Sequence, residues 1–138
     1  PFPHAVNRIR GRIFLSELVL ESDIKKLQGI MLKLPQADIK STHRFTDGVY
    51  AREVFIPEGV ALVGATHKTN HFYVVSHGHC EVVVDGRRET ITAPFTGETK
   101  KGDKRVIYAI TDTVWTTFHP TEETCLDKLG QILIEETI

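Results

Sequence analysis

The stretch Pro57-Glu-Gly-Val-Ala-Leu-Val-Gly-Ala-Thr-His67-Lys-Thr-Asn-His71-Phe-Tyr-Val-Val-Ser-His-Gly78-His-Cys-Glu-Val-Val-Val-Asp-Gly86 sets short β-branched and aromatic runs between turn signals. Pro57-Glu58-Gly59 and Asp85-Gly86 read as turns, because proline presets φ near −65° and glycine accepts positive φ at no steric cost. Between them lie three runs of strand length: Ala61 to Ala65, His71 to Ser76 and His79 to Val84. Asp85-Gly86 predicts a hairpin from the last run into Arg87 to Thr92, and His77-Gly78 predicts a second tight hairpin link just before it.

The same rhythm extends both ways. Val49 to Ile56, Lys104 to Tyr108, Val114 to Phe118 and Gln131 to Glu135 are further candidate strands, punctuated by Asp47-Gly48 and Lys101-Gly102-Asp103. Several short strands at this spacing predict a barrel or sandwich. Upstream of Thr42 the pattern changes. Ile24, Leu27, Ile30, Met31 and Leu34 recur at three and four, with Ser22 and Asp23 placed to cap the start and Pro35 to mark the stop, so one helix is expected over Ser22 to Leu34. No repeat or linker interrupts the 138 residues, a length that buries a core without staples. The expected organisation is a single domain, with residues 1–41 an N-terminal arm and helix packing on the barrel or on a second subunit, and residues 42–138 the β-barrel. The apolar segments Ile13-Phe14-Leu15 and Leu18-Val19-Leu20 call for burial, in cis or across a homodimer.

Charge narrows the partners. Lys and Arg total 17 against 18 Asp and Glu, so nothing in the balance points to nucleic acid or an anionic membrane. The basic clusters Arg87-Arg88 and Lys100-Lys101-Gly102-Asp103-Lys104-Arg105 lack interleaved aromatics and read as solvated turns. Cys80 and Cys125 form no metal-binding spacing and read as free thiols, which suits a reducing compartment. The opening Pro1-Phe2-Pro3-His4 carries no signal pattern and no apolar run approaches a membrane span. The expectation is cytoplasmic.

Of seven histidines, His67, His71, His77 and His79 fall within thirteen residues. Neutral imidazole is the commonest protein ligand for zinc, copper, iron and nickel, so this cluster is the first candidate for metal. Strand alternation places Trp115, Thr117 and His119 on one face, and the polar loop Lys68-Thr69-Asn70 can bring His67 and His71 to the barrel mouth. Three imidazoles with a fourth position open to water would be a catalytic arrangement. The alternative is that they are polar strand-end residues bonded to backbone. His77 and His79 bracket a glycine turn and are expected in solvent. Tyr73, two residues past His71, shares its face and is the candidate acid–base group; Glu53 is a further pocket candidate whose facing alternation leaves open.

Residues Pro57 to Gly86 resemble the first motif of the cupins, in which a Pro-x-Gly turn and a strand precede a loop of pattern H-x-H-x(3,4)-E and a strand ending at glycine. The resemblance puts His67 at the second histidine position, His71 at the glutamate position and Ala65 at the first histidine position. Gly102-Asp103 and the run to His119 are similar to the second motif, with Trp115 at its histidine position and His119 at its asparagine position. Two of four usual ligand positions are thus replaced. Asp112 to Thr121, with His67-x3-His71 and Ala93-Pro94-Phe95, is more specifically similar to small cupin-like proteins encoded by tailed bacteriophages.

That resemblance implies a mainly β, cupin-type double-stranded β-helix, or jelly roll, and a homodimer in a host cytoplasm. Two functions follow as expectations. One is a pocket protein, and in its catalytic form a metal-dependent enzyme, whose His67, His71 and His119 hold a divalent ion (Fe, Mn, Ni or Zn), with Tyr73 catalytic and the reaction unassigned. The other is a non-catalytic phage accessory protein that binds a small molecule or a host protein.

Overall fold

The computed structural model describes residues 5–10, 21–84 and 86–135, with 5–10 and 21–23 described by their backbone alone. The apolar segments between Ile13 and Leu20, His4, Asp85 and the proposed capping side chains of Ser22 and Asp23 lie outside what is described. In chain order the elements are β1 (Ala5–Arg10), α1 (Glu21–Met31), β2 (Lys40–Thr46), β3 (Val49–Ile56), β4 (Val60–Gly64), β5 (Thr66–His67), β6 (His71–His77) and β7 (His79–Val84). There follow β8 (Arg87–Thr92), β9 (Phe95–Thr99), β10 (Val106–Ala109), β11 (Thr113–Pro120), α2 (Leu126–Leu133) and β12 (Ile134–Glu135).

Two five-stranded antiparallel sheets face each other, in the orders β1-β4-β10-β7-β8 and β2-β3-β11-β6-β9, and β12 pairs with β5 as a small third sheet. Mainly β architecture of the jelly-roll kind is therefore what the chain adopts. The chain crosses repeatedly from one sheet to the other, and Gly78 is one such corner. It has φ +98°, and a Cβ there would run into the Asp112 carbonyl, so this position takes glycine for both conformation and space. The link at His77-Gly78 is therefore not the hairpin the sequence suggested. β6 bonds β9 and β11, while β7 bonds β8 and β10.

The main core lies between the sheets: Val54, Ile56, Tyr73, Val75 and Trp115 from one meet Val60, Leu62, Cys80, Val82, Val84 and Ile107 from the other. On the outer side of the first sheet, Ile24 and Met31 of α1 pack on Val63, Val83 and Val106. That second layer explains the unbroken Val82-Val83-Val84 run, since a strand covered on both faces has no polar side to alternate. The helix tightens at its end, where Lys33 N–H bonds the Ile30 carbonyl and Leu34 N–H the Met31 carbonyl, just before Pro35.

At the opposite end α2 buries Leu129 and Leu133 against Tyr50, Ala65 and Ile134. Each buried leucine is worth about 1.5–3 kcal/mol. The candidate strand Gln131 to Glu135 is thus mostly helix, with only Ile134 and Glu135 extended. The helical signal was present, since Leu126, Leu129 and Leu133 recur at three and four. β2 and β9 had not been expected either. β2 is a mostly exposed edge strand, and β9 carries Gly97. Both cysteines are free, Cys80 buried and Cys125 exposed. No described helix is long and apolar enough to cross a membrane.

Candidate functional site

The inward side chains of one sheet stand in rows set by strand register. Tyr50 of β3 opposes His119 of β11, and His71 of β6 opposes Thr99 of β9. The next row runs Arg52, Thr117, Tyr73, Gly97, and the one after it Val54, Trp115, Val75, Phe95. Alternation therefore holds along β11: Trp115, Thr117 and His119 all point inward, as expected. Along β3 it brings in Arg52, while Glu53 faces out and pairs with Arg44 at 3.3 Å.

His67, His71 and His119 do come together. The rings of His67 and His71 lie 4.8 Å apart between centroids, and those of His71 and His119 4.2 Å. His71 is 4% exposed and His119 2%. The loop holding them is pinned from several sides. His67 N–H donates to the Asp103 carbonyl, Gly102 N–H to the His67 carbonyl, and Lys68 N–H to the Leu133 carbonyl. Lys101 N–H donates to Asn70 Oδ1 at 2.7 Å, and β12 pairs Ile134 with His67.

Two of the imidazoles have one nitrogen fixed. His71 Nδ1–H donates to the Thr69 carbonyl at 3.1 Å, and His119 Nε2 bonds Thr117 Oγ1 at 2.9 Å. Buried and without hydrogen-bond partners are His67 Nδ1, His71 Nε2 and His119 Nδ1. Burial depresses all three pKa values: His67 to about 2 and His119 to about 3, with the charges of His71 and nearby arginines adding to the effect, and His71 lowered, with help from Arg105, against the pull of its Thr69 bond and Asp103. The rings are therefore neutral at physiological pH. As donors they suit a metal ion: neutral, each with one buried and unpartnered nitrogen, two oriented by a second bond. As placed, however, no three His, Cys, Asp or Glu among the described residues are arranged as a group that holds a metal.

Stacked rings continue outward from His119. Tyr50 lies 5.5 Å from it, and His43 and Phe45 flank Tyr50 at 5.8 and 5.1 Å. His43 Nδ1 meets the Tyr50 hydroxyl at 2.6 Å, and burial pushes that phenol up to about 12. His43, outside the histidine cluster of the sequence, stands behind the trio against Tyr50. His77 is exposed, whereas His79 is half-buried and bonds Thr92 Oγ1 at 2.8 Å. Ala65 and Trp115, at the two replaced ligand positions, are buried in the core.

Tyr73 lies two residues from His71 on the inward face, but its ring stacks on Trp115 at 4.3 Å and its hydroxyl is in hydrogen-bonding contact with Arg105. Gly97 opposite has no side chain, and a Cβ there would strike the Tyr73 ring. Beside this stack is a pocket of about 60 Å³, lined by Arg52, Arg105, His67, Thr99 and Thr117 on its polar side and by Val54, Ile56, Leu62, Ile107 and Trp115 on its apolar side. His67 thus belongs to both the trio and the pocket.

Arg105 is the residue the sequence reading misplaced. It belongs to the basic run whose composition predicts a solvated turn, yet Arg105 is 6% exposed and Lys104 2%. The reason is the tight turn before it. Asp103 Oδ2 accepts the Lys100 N–H at 2.9 Å and lies 3.7 Å from Arg105 Nη2, while Nη1 donates to Thr99 Oγ1 at 2.8 Å. A signal for Arg52 did exist: it alternates in phase with Tyr50 and Val54.

Neither a protein-family model nor a curated protein matches the chain. Solved structures do. An acetylacetone dioxygenase from Acinetobacter johnsonii matches with a TM-score of 0.50 at 16% identity, covering 59% of this chain and 59% of its own. A cupin superfamily protein from Desulfitobacterium hafniense DCB-2 matches at 0.53 and 9% identity, over 64% of this chain and 83% of the other. A RmlC-like cupin from Shewanella frigidimarina NCIMB 400 matches at 0.52 and 23%, over 62% and 78%. At these identities the likeness is one of backbone, and with the paired sheets and the pocket between them it gives the chain the cupin fold.

Proposed function

We propose that this chain is a cupin-type pocket protein that takes a divalent metal ion at His67, His71 and His119. The observation that carries the reading is the buried, unpartnered nitrogen on each of three adjoining neutral imidazoles, those of His71 and His119 buried whole and that of His67 half-buried. Leaving such groups unsatisfied costs about 1–3 kcal/mol each, which a ligated ion would offset. Bound there, an ion such as Fe, Mn, Ni or Zn supplies Lewis-acid chemistry. Thr69 and Thr117 orient two of the rings, the apolar wall limits water, and His67 joins the trio to the pocket. The reading requires the rings to turn toward a common point. Elemental analysis of untagged protein purified without chelator tests it, beside a His67→Ala/His71→Ala variant. Near one equivalent of metal, lost in the variant, supports the site; no uptake from added metal by the folded wild type removes it.

A second reading is favoured by the trio's arrangement as placed, which holds no ready three-ligand group. In it the chain is a non-catalytic binder of a small molecule, in the manner of a phage accessory protein, and the histidines form only the polar end of the pocket. Tyr73 then acts by holding Arg105 rather than as an acid or base. A homodimer, suggested by the apolar Ile13-to-Leu20 segment, and a cytoplasmic setting, suggested by two cysteines that read as free thiols, belong to the same proposal. Light scattering that returns a monomer mass removes the homodimer.

A further inference from the structure

The geometry points to the interior pocket as a binding site for a short-chain carboxylate, its anionic head held by Arg105 and Arg52 and its carbon chain laid on Trp115, Ile107 and Val54. This rests on the reading of the barrel interior as a ligand pocket and needs no metal.

The strongest argument is the state of Arg105. Its guanidinium is buried, 4.8 Å from the Tyr73 ring centre and 5.8 Å from that of Trp115, so aromatic faces hold it in one orientation. Five N–H groups are available on such a fork. Nη1 is taken by Thr99 and the Tyr73 hydroxyl takes another contact, but Nε has no partner. The adjacent carboxylate, Asp103, stands at 3.7 Å, beyond hydrogen-bond distance, and the same oxygen already accepts the Lys100 N–H. A buried cation so loosely paired is costly, and an incoming carboxylate would offset that cost with charge-assisted bonds. The fork is already immobilised, so little side-chain entropy is lost on binding.

Size and lining set the ligand class. About 60 Å³ exceeds what one water needs and falls well below the roughly 150 Å³ of a cavity that takes benzene, which suits about two to four carbons. The opposite wall is aliphatic and aromatic, so a ligand that is anionic throughout, such as phosphate, would waste it. Arg52 reaches the pocket from the adjoining row, with Nη2 3.5 Å from Ser41 Oγ. Thr99 and Thr117 add hydroxyls beside the two guanidinium groups.

The test uses the full chain after treatment with EDTA, titrated with acetate, propionate and butyrate, then with propionamide and inorganic phosphate. Fluorescence of Trp115, the single tryptophan, reports occupancy. The expected result is saturable binding of at least one carboxylate, with propionamide weaker by about tenfold or more, the value of one charge-assisted bond. Arg105→Lys and Arg52→Lys, checked for folding by circular dichroism, are each expected to weaken carboxylate binding by about tenfold. The contrast of acid with amide on the wild type stands even if a variant does not fold. Equal binding of propionamide, equal or tighter binding of phosphate, or no binding by any of the three carboxylates overturns the inference. So does binding that appears only once a divalent metal is added, since that would place the carboxylate on the ion. Metal uptake is measured separately, so either reading can fail alone.

Discussion

Acid should destabilise this domain through its buried imidazoles. His67 and His119 are held at about 2 and about 3 in the fold, against an ordinary value of 6.5. Their folded pKa values lie below the unfolded one, so on acidification the unfolded chain binds the protons first. Stability is therefore full above about pH 7 and is lost as the pH falls below about 6.5. At about pH 5 each histidine has shifted the balance toward the unfolded chain by about 2 kcal/mol, and the two together by about 4 kcal/mol. His71, lowered for the same reason, acts in the same direction. Such a loss is a large part of the roughly 5–15 kcal/mol that stabilises a domain. Urea unfolding of EDTA-treated protein, followed by Trp115 fluorescence and far-UV circular dichroism between about pH 7.5 and about pH 5, measures it directly. The His119→Gln variant should lose its own share, about 2 kcal/mol at about pH 5, of the pH dependence, because glutamine can keep a bond to Thr117 without titrating. A midpoint that stays constant over that range would refute the reasoning, since it would mean that the rings protonate in the folded state at little cost.

Gly97→Ala places a methyl group against the Tyr73 ring and should cost about 1–3 kcal/mol by overpacking, with recovery when Tyr73→Leu is added; equal unfolding midpoints for Gly97→Ala and wild type would contradict the register described. Gly78→Ala meets both positive φ and the Asp112 carbonyl, and is expected to lower the melting temperature more than Gly59→Ala, whose Cβ would meet no atom within 4 Å. A thiol reagent should label Cys125 quickly in the native protein and Cys80 only after unfolding, because burial pushes the Cys80 thiol up to about 12; rapid reaction of two thiols would place Cys80 outside the core. Tyr73→Phe keeps the stack on Trp115 but removes the bond to Arg105, so carboxylate affinity should fall while the fold is retained. An unchanged affinity would leave Tyr73 a purely structural residue.

Local chemistry made much of the barrel legible. Val49–Ile56, His79–Val84 and Arg87–Thr92 form strands with the expected bounds, because glycine and proline turns bracket β-branched runs. The inward facing of Trp115 and His119 was also legible, since strand alternation is a property of the backbone. The meeting of His67 with His71 followed from a short loop between them. What sequence could not decide is which strands pair across the corners. At Gly78 a two-residue link looked like a hairpin, yet it carries the chain from one sheet to the other. The fate of the basic run was equally a tertiary matter. Lys100 and Lys101 remain in solvent while Lys104 and Arg105 are buried: Asp103 and Thr99 hold the Arg105 guanidinium from its own turn, and the rings of Tyr73 from β6 and Trp115 from β11 close over it from elsewhere in the chain. Composition sees only like charges at a turn; burial of a guanidinium depends on partners that are distant in the chain and become neighbours only when the sheets close.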